Sequence, residues 1–407
     1  MKIVAIIPAR YASTRLPGKP LLDICGKPMI QHVWEKAKQA KGLDEVIVAT
    51  DDERIAQAVK QFGGIAVMTS PQCNSGSDRL NEVMKQIPAD IYVNIQGDEP
   101  LLDPAAIEKL LDLFKKNPDV KIGTICSIMD AEEAALPQHV KVVTDNAGKA
   151  LYFGRSLLPF IRDAGDDFPY MRHIGLYAYT ADMLRIFPDL PPSSLEKAEK
   201  LEQLRFLQAG YPIHVAEVEP MEAGVDTPED LERVRAKLRQ KRHADAIDRL
   251  KNIRLIITDV DGVLTDGSLY YGSDGESLKC FTARDGLGFK MLEKAGIPVV
   301  ILSGRDSAAL RARIADLGIR EAHLGKLDKK SVINEICKNN NISPKEVAII
   351  GDDLPDLEAF GSCGISVTVA DAPEYVRDKA DMVLQTAGGK GAFRELVDLI
   401  LSARSKK

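Results

Sequence analysis

No hydrophobic run in this 407-residue chain approaches the ~20 residues that cross a bilayer. The apolar start, Ile3 to Ile7, leads into Pro8 and Arg10 with no small-residue cleavage site, so it reads as a first strand rather than a leader. The expectation is a protein without a membrane partner that stays in the cytoplasm. Cysteine is sparse: Cys25, Cys73, Cys126, Cys280, Cys337 and Cys363 form no CxxC pair and have no neighbouring histidine at zinc-ligand spacing. Disulfides and a zinc site are therefore not expected. Excess positive charge is also missing; a net charge of -6 disfavours nucleic acid and leaves anionic small molecules possible only where cations cluster locally. Neither the GxxxxGK[ST] phosphate loop nor the GxGxxG dinucleotide fingerprint occurs, and no internal repeat or low-complexity tract is visible.

What is present is a globular composition, 45% hydrophobic and 28% charged, in a chain too long for one ordinary core. Short β-rich runs (KIVAIIPA, EVIVAT, IYVNIQ, KIGTICSI) alternate with segments of helical period such as PMIQHVWEKAKQA and DPAAIEKLLDLFKK. After residue 252 the alternation restarts with RLIITDV, a hairpin-like LYYGSDGESLKCFT, PVVILS and VAIIGDD. The expected fold class is α/β with two Rossmann-like domains, each a mostly parallel sheet covered by helices. Between them "GVDTPEDLERVRAKLRQKRHADAIDRL" predicts a helix from about Pro228 to Leu250, with Thr227 and Asp230 as its capping pair. Its later part is dense in charge and has no apolar stripe, so the expected division is 1–238, a helical linker 239–252, and 253–407.

On parallel sheets ligands gather beyond the carboxyl ends of the strands. "PARYASTRLPGKPL" places Arg10, Arg15 and Lys19 on one stiff loop after the first strand, a clamp suited to a triphosphate or simply a surface loop with ordinary cations. "NIQGDEP" offers Asp98 and Glu99 after another strand, as Mg2+ ligands or as a turn. If Thr227 caps the helix, Asp226 is left to bind metal.

Together "IPARYASTRLPGKPL", "SGSDRL", "NIQGDEPL", "RHIGLYAY", "LEQLR" and "GVDTPEDLERVR" resemble the 3-deoxy-manno-octulosonate (Kdo) cytidylyltransferase family, over residues 1 to about 238. The resemblance implies CTP bound by Arg10, Arg15 and Lys19, with Ser75, Arg79 and Gln96 near nucleotide and sugar. It further implies Mg2+ on Asp98 and Asp226, and sugar-acid contacts from Gln96, Arg155, His173, Glu202 and Gln203. Lys19 and Asp98 become the candidate catalytic groups. The family's usual Thr-Glu is here Ser77-Asp78, and Gly154 stands where "YFSR" has serine.

In "TDVDGV" the side chains of Asp259 and Asp261 fall on one side of an extended chain, about 7 Å apart at Cα. One carboxylate can attack phosphorus while the other serves the leaving oxygen. Ser303, Lys329 and the Asp352-Asp353 pair follow in order, the serine and aspartates each after an apolar run. This set resembles the haloacid dehalogenase superfamily. The resemblance implies Asp259 as nucleophile, Asp261 as acid then base, and Ser303 and Lys329 on the phosphoryl oxygens. Mg2+ would sit on Asp259, the Asp261 carbonyl and Asp352. Lys326 is a rival for the lysine role, but the "G-x-x-D-K" pattern favours Lys329.

Residues 262 to 302 leave room for a hairpin but not for a covering domain, so something else must close the site. "DVDGVLTDG", "ARDGLG", "GDDLPDL" and "GGKGAFRE" resemble the Kdo 8-phosphate phosphatase subfamily, which is capless and tetrameric. Arg284, Asp285 and Arg394 are then candidate substrate contacts, and a homo-oligomer, a tetramer through this domain, is expected. The two halves would act in sequence, releasing Kdo from Kdo 8-phosphate and activating it with CTP, with Mg2+ in both. A sialic-acid-type enzyme would carry a first loop richer in glycine and serine. An inert C-terminal oligomerisation module would have no need of Asp259, Asp261, Ser303, Lys329 and Asp352 together.

Overall fold

A computed structural model describes residues 1–12, 16–73, 76–163, 168–273 and 275–405. The chain separates into two compact units, Met1–Val234 and Arg235–Lys407. Among the described residues no helix is long and apolar enough to cross a membrane.

The first unit is built on a nine-stranded sheet whose main path runs His214–Glu217, Ile122–Met129, Tyr170–Thr180, Ile91–Asn94, Ile3–Ala9, Glu45–Thr50, Ile65–Met68. The strand Ile3–Ala9 lies parallel to both neighbours, whereas Tyr170–Thr180 is antiparallel to both of its own. Alternation along the first strand explains the layers: Ile3, Ala5 and Ile7 face one core, Val4 and Ile6 the other. The first face takes Ile30 and Val33 of the helix Met29–Gln39 and Ile107, Leu110 and Leu111 of the helix Pro104–Lys116. The second takes Leu80 and Val83 of the helix Gly76–Gln86. Each fully buried aliphatic side chain contributes roughly 1.5–3 kcal/mol, so a sheet buried on both faces holds its strand ends firmly. Those strand ends carry the loops of interest.

The second unit has a six-stranded, wholly parallel sheet in the order Glu321–His323, Val299–Leu302, Leu255–Thr258, Val347–Ile350, Ile365–Thr368, Met382–Val383. The central strand Leu255–Thr258 is buried throughout and delivers Asp259 at its carboxyl end. A two-stranded hairpin, Tyr270–Gly272 with Gly275–Leu278, follows it.

The helix Pro228–Leu250 begins as expected: Thr227 Oγ1 accepts the Asp230 N–H at 3.2 Å, and Asp230 Oδ2 accepts the Thr227 N–H at 3.0 Å. Its charged later part is more than the spacer expected over 239–252. Ala246 and Leu250 are fully buried in the second core, and Arg239 and Arg242 both bond to Asp378. Arg249 pairs with Asp381 at 3.2 Å and donates to the Gly364 carbonyl at 2.6 Å. The basic run therefore belongs to the second unit, and the division falls earlier, between Val234 and Arg235.

Candidate active sites

In the first unit three chain-distant residues converge. Lys19 opens a short 3-10 turn, Lys19–Leu21, placed by Gly18 in the left-handed region with φ 66°. Its Nζ lies 2.6 Å from Asp98 Oδ2 and 3.0 Å from Asp226 Oδ1. Two backbone features bring the carboxylates there. Gly97 lets the loop after Ile91–Asn94 press on the first strand, since a Cβ would come within 2.7 Å of the Pro8 carbonyl oxygen. The Val225 N–H then donates to the Asp98 carbonyl at 2.8 Å, tying the two acidic loops together. Because the helix is capped by Thr227 and Asp230, the Asp226 carboxylate is directed at Lys19. Two carboxylate oxygens meeting on one cation form a donor set that suits a hard divalent ion such as Mg2+. Beside them, burial pushes the Glu99 carboxyl up to about 8, the Asp98 charge adds to it and Arg172 opposes it; Glu99 Oε2 is buried without a partner.

The other expected residues are distributed unevenly. Gln96 donates from Nε2 to the Gly175 carbonyl at 3.1 Å, and Arg10 is exposed at the end of the first strand. Glu202 accepts from Ser77 Oγ at 3.0 Å, and the adjacent Gln203 is buried with its Nε2 unpartnered. His173 Nε2 contacts Tyr177 Oη at 2.8 Å and Thr124 Oγ1 at 3.2 Å, and burial lowers its pKa to about 3, so the ring is neutral. Arg155 is largely committed to protein groups: its N–H and Nε bond Glu199 Oε2 and the Glu199 carbonyl at 3.0 and 2.8 Å. Arg79 is turned inward, giving Nη2 to Asp51 at 2.7 Å and Nη1 to Thr69 at 2.6 Å, and is only 4% exposed. Its place is a buried brace under the loops. Arg15 and Ser75 lie outside the described residues.

In the second unit Asp259 Oδ2 meets Lys329 Nζ at 2.9 Å, and Lys329 also meets Asp356 Oδ1 at 2.7 Å. Asp356 had no role in the sequence reading. It stands four residues after Asp352 in "GDDLPD", one helical turn away, and its Oδ2 also accepts the Asp352 N–H at 3.0 Å. Oxygens of Asp259, Asp352 and Asp356 lie within 4.8 Å of one another. Two glycines allow this crowding: a Cβ on Gly262, whose φ is +84°, would collide with the Asp352 carboxylate, and one on Gly351 with Asp356. Ser303 is 1% exposed at the end of the strand Val299–Leu302, while the rival Lys326 is exposed.

Burial raises the Asp352 pKa to about 8, with Asp259 and Asp356 adding to the shift. Burial also raises Asp259, against the pull of Lys329 and with the push of Asp356. Lys329 is raised as well, its two carboxylate neighbours outweighing the opposite effect of burial. Asp259 Oδ1 is buried and unpartnered. Two carboxylates on one ammonium with a third beside them, and an orphaned oxygen, form an oxygen-rich pocket short of positive charge, and Mg2+ fits it. The Asp261 side chain stands apart from this cluster and pairs with Lys279, which sequence reading also missed.

The three candidate substrate residues separate. Asp285 is 3% exposed and accepts the Arg394 N–H at 2.8 Å, capping the helix Ala392–Ser405; burial raises its pKa to about 6. That is a structural contact and takes Asp285 off the accessible surface. Arg284 is exposed, and Arg394 donates from Nε to Asp398 at 2.9 Å.

Comparison with known proteins agrees with this two-part geometry. Residues 4–218 match the cytidylyltransferase family model, and residues 319–396 match the haloacid dehalogenase-like hydrolase model. The 3-deoxy-manno-octulosonate cytidylyltransferase of Escherichia coli is 52% identical over 240 residues, 59% of this chain and 97% of that protein. A solved CMP:2-keto-3-deoxy-manno-octonic acid synthetase complexed with CTP is 52% identical, with a TM-score of 0.58 over 59% of this chain and 100% of its own. The cobalt-bound deoxy-D-mannose-octulosonate 8-phosphate phosphatase of Haemophilus influenzae is 56% identical over 39% of this chain and 92% of its own, with a TM-score of 0.38. With the clamp loop and the Asp98 loop both inside residues 4–218, the chain belongs to the cytidylyltransferase family.

Proposed function

We propose that the chain is a bifunctional enzyme that hydrolyses Kdo 8-phosphate to Kdo and orthophosphate and then transfers CMP from CTP to the released Kdo. The observation that carries this reading is the presence, in one polypeptide, of two separate lysine-carboxylate sites at strand ends. One lies in the unit 52% identical to a Kdo cytidylyltransferase, and the other carries the Asp259-Asp261-Ser303-Lys329-Asp352 set. One activity belongs to each of the two units, Met1–Val234 and Arg235–Lys407, and both reactions run in the cytoplasm.

In nucleotidyl transfer the anomeric hydroxyl of Kdo attacks the α-phosphorus of CTP and pyrophosphate leaves. Arg10, Arg15 and Lys19 hold the phosphate oxygens whose charge grows in the transition state, where fixed cations are most effective. Gln96, His173, Glu202 and Gln203 orient the sugar acid. The unpartnered Gln203 Nε2 supports that role, and a neutral His173 offers shape and a hydrogen bond rather than charge. Arg155 would add a cation on leaving its carbonyl partners, Glu199 and Pro137. Mg2+ on Asp98 and Asp226, and a second on Asp259, Asp352, Asp356 and the Asp261 carbonyl, would neutralise phosphate charge in each site.

In the second site Asp259 is the nucleophile, Lys329 and Ser303 hold phosphoryl oxygens, and Asp261 carries the proton. Arg284 and Arg394 contact the sugar acid. The exposed Tyr270, Tyr271 and Leu278 of the hairpin support a homo-oligomer, read as a tetramer in which neighbours close the capless site.

The deciding experiment supplies Kdo 8-phosphate, CTP and Mg2+ and follows orthophosphate, pyrophosphate and CMP-sugar separately, with free Kdo and 8-amino-Kdo in parallel. Orthophosphate followed by pyrophosphate and CMP-Kdo is expected. Product from free Kdo alone would remove the phosphatase assignment, and product from 8-amino-Kdo alone would change the acceptor.

A further inference from the structure

The segment closing the hairpin sets a lysine against the second site that none of the roles above employs. Lys279 follows the strand Gly275–Leu278; its side chain is 0% exposed and forms ion pairs with Asp261 Oδ1 and, at 3.1 Å, with Glu276 Oε1. Glu276 Oε2 in turn lies 4.0 Å from Arg305 Nη1. Burial pushes the Glu276 carboxyl up, but hydrogen bonds with Ser307 and Lys279 and the nearby charges of Lys279 and Arg305 hold it below its usual value. Arg305 and Ser307 stand on the loop that begins at Ser303. A chain of alternating charge, Arg305, Glu276, Lys279, Asp261, thus joins that loop to the carboxylate assigned the proton.

A buried ammonium costs several kcal/mol unless compensated, and here two carboxylates compensate it, so the arrangement is fixed rather than incidental. The two oxygens of Asp261 are treated differently. Oδ1 is gripped by Lys279, while Oδ2 is buried with no partner. One oxygen held and the other presented is the geometry a proton carrier needs.

We propose that Lys279 is a positioning residue for Asp261, fixing the carboxyl through Oδ1 so that Oδ2 faces the proton it must give and take. The proposal rests on the phosphatase reading above. In the first half Asp259 forms a bond to phosphorus, the bond from phosphorus to the sugar oxygen breaks, and Oδ2 gives its proton to that oxygen. In the second half water adds to phosphorus, its proton passes to Oδ2, and the bond to Asp259 breaks, releasing orthophosphate.

The test uses the full chain and two phosphate esters. p-Nitrophenolate leaves without a proton, so Lys279→Met should form the aspartyl-phosphate from p-nitrophenyl phosphate at close to the wild-type rate but break it down slowly. The expected trace is a burst approaching one nitrophenolate per site, larger than the wild type's, followed by turnover at least about tenfold slower. On Kdo 8-phosphate both halves need the proton, so kcat should fall about a hundredfold with KM within twofold. Lys279→Arg should recover most of the loss. Equal loss of burst and steady state, a rise in KM alone, or no rescue by arginine would overturn the proposal and leave Lys279 a structural pin for the hairpin. CMP transfer from CTP and free Kdo in the same preparation reports the integrity of the chain. If Lys279→Met fails to fold, Glu276→Gln, which removes the brace behind Lys279, must show the same burst. A wild type inactive on both esters with Mg2+ would defeat the phosphatase reading itself, a distinct outcome.

Discussion

At the scale of single residues, the two sites place their reacting groups on separate side chains, so each should be removable alone. Asp259→Asn takes away the carboxylate proposed to attack and keeps the shape; orthophosphate release should fall at least about a thousandfold while CMP transfer to free Kdo stays within twofold. Asp98→Ala removes half of the carboxylate pair around Lys19 and should do the reverse. Loss of both activities from either change would contradict two independent sites, and separate assays of orthophosphate and pyrophosphate decide it. His173 gives a pH prediction whose sign follows from burial. Its folded pKa is lowered to about 3, so the imidazole stays neutral, and the stability linked to it is complete above about 6.5 and lost as pH falls from there toward 3. Its ring resonances should therefore not titrate between pH 5 and 8 in an NMR series, and a midpoint near 6.5 would place the ring in solvent.

At the scale of elements, glycine sets how closely the acidic loops of the second site approach. Gly262→Ala puts a Cβ into the Asp352 carboxylate at a φ of +84°, where L-residues also pay roughly 1–2 kcal/mol of backbone strain. Phosphatase activity should drop at least about a hundredfold, with CMP transfer retained, in the same paired assay. This level also shows what the chain reveals before folding. Asp259, Ser303 and Asp352 were legible because each ends a short apolar run, and such runs become parallel strands with their ends aligned. Thr227 and Asp230 were legible because capping is local. Asp356 was not, because one turn into a helix it looks like an ordinary capping residue, and only the fold brings it to Lys329. Lys279 was hidden for a similar reason: a hairpin lysine reads as solvated until its partner across the loop is known. Arg79 looked available beside "SGSD", but Asp51, at the end of another strand, draws it inward.

At the scale of the whole molecule, the charge-dense stretch Arg239 to Arg249 bonds to Asp378, Asp381 and Gly364, so it is committed to the second unit while Leu231 and Val234 are buried ahead of the division. Each unit has its own core, which predicts separate ligand linkage. On the proposed assignment CTP with Mg2+ should bind the folded first unit only, and a ligand at a hundred times its Kd adds about 2.7 kcal/mol of stability. For a unit of this size that raises an unfolding midpoint by about 5–10 °C. Mg2+ with orthophosphate should instead raise a second transition, and chelation should lower it, because it leaves Asp259, Asp352 and Asp356 with Lys329 but short of positive charge. Calorimetry of wild type and Asp259→Asn with each ligand set separates the possibilities: CTP should shift one transition equally in both proteins, and the substitution should blunt only the response to Mg2+ and orthophosphate. A single transition moved by either ligand would mean that the two units unfold as one cooperative body, and the assignment of one activity to each would then rest on the paired substitutions alone.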